Sequence, residues 1–376
     1  MFLRIFDRYI GRQITSATLI GVVILSGVMV LGNVFQKMEQ LLGNSQLPLA
    51  VVLKFIWLVI PYSLIFTIPW AFLTGILLVF GRMSADNELV SLRMTGSSMP
   101  RICLPVFIVS LALSGFCYWA NVELAPSAKN EMKRLFYNVA MEDPASLFQE
   151  GRVLDRVPGY RIYTEKKVGN EMQGLILMEL EGTRVLRTIR ARTAHLETEP
   201  GMVDPILRLH DADVEMPKLV DNKIIESIDV VHMDETAVPF PISKMKEKLE
   251  RVNVSMKSTS ALWEESRTHS DTVTKLPHDK KQHSECLTEL NRRYSLSLAC
   301  LTFALVGIPL GVTAQRRETS IGFALSLGTG LLYMLLILVG DVMSDRPSVM
   351  PHLLVWTPNV IFLAMGFWLF ARLSRK

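Results

Sequence analysis

Residues 55–81 read FIWLVIPYSLIFTIPWAFLTGILLVFG, a run of 27 residues with no Asp, Glu, Lys or Arg. A helix of about 20 predominantly apolar residues crosses the roughly 30 Å of a bilayer's hydrocarbon core, so this run reads as a membrane span. Working outward, five more uncharged runs stand out: Gln13 to Gln36, Ile102 to Val122, Tyr294 to Gln315, Thr319 to Gly340 and Pro347 to Ala371. Hydrocarbon offers no water to backbone N–H and C=O groups, so each run is expected to be helical. Pro61, Pro69 and Pro309 predict kinks, because proline removes an intrahelical hydrogen bond. The first run, 24 residues long, exceeds a typical signal-peptide core and is followed by no small-x-small site, so it too reads as a span.

Three runs precede, and three follow, a stretch of different character. Residues 124–289 hold 24 of the 40 basic and 28 of the 36 acidic side chains, a net of −4 against +8 for the rest. A charged block between apolar flanks excludes a simple soluble globule, a disordered chain and a nucleic-acid binder. Lys and Arg in short loops set orientation. Eleven of them (Arg4, Arg8, Arg12, Arg82, Arg93, Arg101, Arg316, Arg317, Arg372, Arg375 and Lys376) fall on the side of the termini, and three (Lys37, Lys54 and Arg346) on the other. Both termini are therefore expected inside and the charged block outside.

Within the block, alternation predicts strands around Arg161–Tyr163, Leu175–Met178, Val185–Ile189, Ile206–Leu209 and Ile224–Val231, with breaks at Val168-Gly169-Asn170 and Gly182. Short strands with such breaks suggest a sandwich or a partly open barrel. Ile162, Leu175, Leu177 and Ile189 are the candidate inward residues. Lys244–Arg251 turns helical, Thr259–Glu265 reads as a short helix capped by Ser258 or Ser260, and residues 268–284 read as a polar linker.

The usual chemical signatures are missing. There is no G-x-x-x-x-G-K-[ST], no H-E-x-x-H and no G-x-S-x-G. Asp341 lies at a span's end with no second carboxylate to face it. Cys103, Cys117, Cys286 and Cys300, like His269, His278 and His283, lack the spacing of a metal site. The chain is expected to be no enzyme, with no cofactor or metal of its own.

The loop after the second span is more informative. It runs Arg82-Met83-Ser84-Ala85-Asp86-Asn87-Glu88-Leu89-Val90-Ser91-Leu92-Arg93-Met94-Thr95-Gly96. Ser84 or Asp86 is a candidate cap and Gly96 a stop. Met83, Leu89, Val90 and Met94 give an apolar face beside Glu88 and Arg93. Such a helix either lies on lipid or docks in a groove of a cytoplasmic partner; its few cations favour the partner.

The opening Asp7-Arg8-Tyr9-Ile10-Gly11, the Ser84–Gly96 loop with its Asn-Glu-Leu-Val centre, and the three-plus-three layout resemble the LptF/LptG permease family over the whole chain. These are the membrane subunits of the lipopolysaccharide exporter of Gram-negative bacteria. The resemblance implies a membrane α-helical fold of six transmembrane helices with an inserted periplasmic β-jellyroll-like domain. The divisions would be 1–123 (spans one to three, coupling helix about 84–96), 124–289 (periplasmic domain and linker) and 290–376 (spans four to six). It implies an inner-membrane location and a permease that extracts lipopolysaccharide and passes it to a periplasmic bridge. Implied partners are an LptB-like ABC ATPase carrying ATP and Mg, a second LptF- or LptG-like six-span subunit, LptC-like and LptA-like bridge proteins, and lipopolysaccharide. Glu88, Leu89 and Arg93 would couple to the ATPase.

Lipid phosphates call for cations near the outer interface. Lys37 resembles the basic residue the family places there, and Arg292 and Arg293 are further candidates. Snorkelling at a helix end is the plain alternative for all three. A permease for another envelope lipid or lipoprotein, and a non-transporting membrane-anchored periplasmic scaffold, remain alternatives. The opening motif leans slightly towards the G partner.

Overall fold

The computed structural model describes residues 5–41, 49–142, 144–155, 157, 159–182, 184–197, 204–220, 223–241, 253–272, 277–313 and 319–375. Expectations for Lys244–Arg251, and for Arg4, Arg316, Arg317 and Lys376, fall outside these residues. The chain divides into a helical unit (Met1–Gly32, Ile56–Glu131, Asn253–Lys376) and a second unit (Asn33–Phe55, Met132–Val252) that carries the sheet.

The helices longer than one turn are α1 (Ile5–Leu41), α2 (Leu49–Ala85), α3 (Glu88–Met94), α4 (Met99–Trp119), α5 (Ala125–Glu142), α6 (Thr259–Thr272), α7 (Pro277–Ser297), α8 (Ala299–Thr313), α9 (Thr319–Val342) and α10 (Thr357–Arg375), and a single turn, Pro351–Leu354, precedes α10. Five segments are long and apolar enough to cross a membrane, and a sixth is made by α7 and α8 if that bent pair is one span. The pair bends by 42° at Leu298. Pro309, the expected kink, lies within α8 instead, and Pro61 and Pro69 lie within an unbroken α2.

The break at Leu298 is held by polar groups. Leu298 N–H turns back to Ser295 O at 3.2 Å. Asn359 of α10 donates to the same carbonyl at 3.0 Å and to Ser295 Oγ at 2.8 Å. Thr302 and Tyr333 both donate to Asn359 Oδ1, at 2.9 and 3.1 Å. A buried amide is tolerated when its hydrogen-bonding capacity is met in this way.

A second irregularity joins α4 to α5. Residues Ala120–Leu124 form a π-turn. Pro126 has no N–H to give to the Val122 carbonyl four residues back, and that carbonyl takes the Thr259 hydroxyl at 3.2 Å instead. A local π-bulge of this kind re-aims the side chains beyond it.

Residues 268–284 are not the expected linker. Those described belong to α6 and α7, and α7 runs on unbroken to Ser297, so the helical unit begins again at Asn253 rather than near 290. Ser258 Oγ accepts the Ala261 N–H at 3.2 Å and so caps α6.

The sheet unit is one antiparallel meander, β1 (Arg152–Leu154), β2 (Tyr160–Val168), β3 (Glu171–Glu181), β4 (Arg184–Glu197), β5 (Ile206–Val220) and β6 (Lys223–Pro239), in that order. It is a single sheet among the described residues, not the two layers of a sandwich. Gly169 and Gly182, both at positive φ, make the turns that separate β2 from β3 and β3 from β4. Ile162, Leu175, Leu177 and Ile189 face the core, at 0–1% exposure. Burying a side chain of this kind stabilises by about 1.5–3 kcal/mol.

One row interrupts the ladder. Thr164 pairs with Leu175 and Lys166 with Gln173, while Glu165 and Gly174 between them do not pair. The same row runs on through Arg192, Asp211 and Asp234. At that row two successive residues of β2, β4 and β6 face away from the core, so the inward set shifts by one. In β5 it passes from Leu207 and Leu209 to Ala212 and Val214. Gly174 (φ +64°) and Asp211 (φ +54°) absorb the distortion in the left-handed region. The result is a crease across five strands. It lets one sheet fold over its own apolar face, and among the described residues outside the strands only Ala145, Leu147, Phe148, Val157 and Phe240 add to that core. Arg192 and Asp211 pair across the crease at 2.8 Å. Beside it, a hydrogen bond to Asp213 raises the His232 pKa above its ordinary value, with Asp211 and Asp234 adding to the effect.

Candidate functional site

The loop after α2 is fixed from behind. Ser84, an expected cap, sits in the last turn of α2 and donates to Val312 O at 2.9 Å. Asn87 instead begins α3, with φ 58°, a left-handed conformation that Asn tolerates. Ser91 N–H bonds Asn87 O at 3.0 Å. At the other end Gly96, at φ +83°, stops the helix with its N–H on Arg93 O at 2.9 Å.

The apolar residues of this segment divide between two faces. Met83 and Leu89 are buried with Ile10, Met99 and Ile102, and Leu92 packs beside them. Val90 and Met94 point the other way, 54% and 84% exposed, next to the exposed Arg93. Glu88 is half-buried and accepts a long hydrogen bond from Tyr9 Oη at 3.4 Å.

The opening motif thus has a local physical role. Asp7, 5% exposed, pairs with Arg101 at 2.8 Å; Tyr9 reaches Glu88, and Ile10 fills the core under α3. One short segment of α1 clamps both ends of the α3 loop. Nothing in composition or periodicity pointed to this pairing.

The second cluster lies where the third span meets α7. Arg293 is 3% exposed, and its guanidinium is committed to protein partners: Glu289 Oε1 at 3.0 Å, Thr259 Oγ1 at 2.8 Å, Lys257 O at 3.0 Å and Ser255 O at 3.3 Å. Arg292 takes the other oxygen of Glu289 through Nε at 3.0 Å, and its Nε lies 3.4 Å from Asp341. Arg293 is therefore an interior brace, and it borders, together with Arg292, a small cavity open to solvent. Tyr62, Phe66, Asn121, Lys129 and Ser255 line the same cavity. Lys129 stands 4.8 Å over the Tyr62 ring, a favourable cation–π placement. It lies outside the uncharged runs and is absent from the candidates read from the sequence. Lys37 lies in α1, with its side chain outside the described residues. The coupling candidates and the Arg292–Arg293 pair form two separate clusters.

Apolar helices of this length, grouped about a chain that also carries a creased antiparallel sheet, define a multi-pass membrane protein with an inserted β module. A scan against protein families matches residues 8–372 to the lipopolysaccharide export system permease LptF/LptG. The match covers nearly the whole chain, and the chain belongs to that family. It is a transmembrane permease component of lipopolysaccharide export, placed in the inner membrane. A search of curated proteins found no relative that matches.

Proposed function

We propose that this chain is the permease subunit of an ATP-driven exporter, with α3 as the helix that takes up force from a separate ATPase. The observation that carries the proposal is the two-sided build of α3. Leu89 and Met83 bind it into the helical unit, while Val90, Met94 and Arg93 remain exposed on the opposite side. A helix anchored on one face and apolar on the other suits a groove on a partner. Glu88, tethered by Tyr9, would meet a partner cation, and removing one member of a desolvated charge pair costs about 3–5 kcal/mol.

In this reading the termini and α3 are cytoplasmic, and the creased sheet is the family's periplasmic jellyroll-like module. ATP and Mg belong to an LptB-like partner. A second LptF- or LptG-like subunit completes the lipid cavity, and LptC-like and LptA-like proteins receive the lipopolysaccharide. Closure of the ATPase pair would move α3, and the spans would narrow around the lipid. Lys37 and Arg292 are the cations offered to its phosphates.

The test is a mild-detergent pull-down of the tagged chain beside Glu88→Arg and a Val90→Asp/Met94→Asp double variant. Mass spectrometry of the native chain's eluate is expected to recover a P-loop ATPase and a second six-span subunit. The variants should lose the ATPase at least about tenfold, which corresponds to 1.4 kcal/mol, while keeping the second subunit. Equal ATPase recovery with all three baits would remove α3 from the coupling path.

A further inference from the structure

Two spans end at a group of aromatic rings that the export reading does not use. α4 starts at Met99, buried with Met83 and Leu89 beside α3, and ends 21 residues on at Trp119. At about 1.5 Å per residue that is roughly 31 Å, close to the thickness of a bilayer's hydrocarbon core. Val312 of α8 also lies at the level of α3, since its carbonyl takes the Ser84 hydroxyl at 2.9 Å. Back along α8 and into α7, Tyr294 stands about 25 Å from Val312 at the same rise, bend included. Tyr118 of α4 and Tyr294 of α7 thus reach one level from two separate chain lengths. Their rings stack there, with centroids 5.9 Å apart and planes 18° from parallel.

Trp263 of α6 belongs to the same group. Its indole Nε1 donates to Tyr294 Oη at 2.9 Å, and the Arg267 guanidinium, one turn on, stands 5.7 Å from its ring. Leu262 is buried with Cys286 and Leu290 of α7, so α6 is held from behind while Trp263 is turned outward, 46% exposed. The exposed face of α4 leads to this point. Leu104, Ile108 and Leu111 occupy its middle, and Tyr118 and Trp119 its end, all exposed and on one side of the helix. Aliphatic side chains suit hydrocarbon, whereas Tyr and Trp, with an apolar body and a polar tip, suit the interface. A lipid surface requires that order by depth; a protein partner would impose no such order.

We infer that α6 is an interfacial helix whose partner is the lipid surface: its Trp263 side, continuous with Tyr118 and Trp119, lies in the boundary between head groups and acyl chains, on the side of the bilayer away from α3. Glu264, Glu265, Arg267 and Asp271 make α6 too polar to enter the hydrocarbon, which is the composition of a helix that rests on a membrane. Its first turn is tied to both neighbouring spans, because the Thr259 hydroxyl donates to Val122 O and accepts from Arg293. Mooring α6 at the interface therefore fixes the height at which the chain enters α7. The inference requires only that the spans lie in a membrane, so it stands or falls independently of the coupling role of α3.

Depth-dependent fluorescence quenching tests it, with the full chain in phosphatidylcholine vesicles that carry a nitroxide either near the head group or near the end of the acyl chain. The chain has six tryptophans, so the Trp263 signal is the difference between the native chain and Trp263→Phe. A ring about 5–10 Å below the surface should be quenched by the shallow nitroxide at least about twofold more than by the deep one. Stronger quenching by the deep nitroxide would place α6 in the hydrocarbon, and quenching by aqueous acrylamide alone would place it in water; either overturns the inference. Thermal unfolding checks that Trp263→Phe is folded. If it is not, a nitroxide on Ser260→Cys, one turn earlier on the same side of α6, gives a second route, since the native cysteines are buried. Its signal should relax more with oxygen than with a water-soluble nickel chelate, and the reverse overturns the inference. The same quenching is then read in the complex recovered by the pull-down. Lipid quenching that disappears there would assign this face to a protein subunit and overturn the lipid surface as its partner.

Discussion

Gly174 carries the crease in β3. Its φ of +64° costs an L-residue about 1–2 kcal/mol, and a Cβ there would stand 2.8 Å from the Glu165 Cβ on the neighbouring strand. Gly174→Ala is therefore expected to destabilise the sheet unit by about 2 kcal/mol or more. Amide hydrogen exchange should quicken along β2 and β3 before it quickens in the spans. Unchanged protection in those strands would mean that the row bends without strain. The same scale separates two arginines that are neighbours in sequence. Arg292 and Arg293 look alike there, as a pair of cations at the end of an uncharged run. Glu289 stands three and four residues back and so reaches both on a helix. That spacing was present in the sequence; the four-partner burial of Arg293, which depends on Thr259 and the backbone before it, was not.

Among the elements, the fourth span depends most on a side chain remote from it in sequence. Asn359 joins α10 to the break between α7 and α8. Asn359→Leu would leave the Thr302 and Tyr333 hydroxyls and the Ser295 carbonyl with fewer partners in a buried site. The expected loss is about 3 kcal/mol, at 1–3 kcal/mol for each unsatisfied buried group. Denaturant unfolding in detergent measures it, and a loss below about 0.5 kcal/mol, the scatter of neutral substitutions, would show the break to be held by packing alone. Spans and strands were legible because each announces itself by a period or by the absence of charge. Ile162, Leu175, Leu177 and Ile189 are buried as alternation requires. The extension of α7 was not legible: Glu289, Arg292 and Arg293 read as the edge of the membrane, and only folded do they neutralise one another. The crease was hidden for a related reason. Glu165-Lys166 and Arg192-Thr193 are consecutive polar residues that any turn or strand end would accommodate.

For the whole molecule, the expected arrangement is that α3 and the sheet unit lie on opposite sides of the bilayer. The four native cysteines are buried, so an introduced one reports alone. Thr95→Cys, just after α3, should react with a membrane-impermeant maleimide only after cells are permeabilised. Lys166→Cys, on the exposed side of β2, should react once the outer membrane alone is opened. Labelling of both under the same condition would refute the arrangement. The family is readable from the layout because an even split of spans around one charged block leaves few architectures. The cavity at Lys129 was not, since its lining residues come from four separate stretches of chain.

The crease also constrains whatever adds to the sheet. β6 is an edge of the meander among the described strands, and an open edge is a template for any extended chain. A peptide with ordinary alternation, docked along all of β6, would stay in phase on one side of Asp234 and fall out of phase on the other. Half of its apolar side chains would then face water. Only a strand with its own two-residue phase slip, placed at the matching position, satisfies the whole edge, so the fold discriminates against indiscriminate pairing without blocking the edge at all.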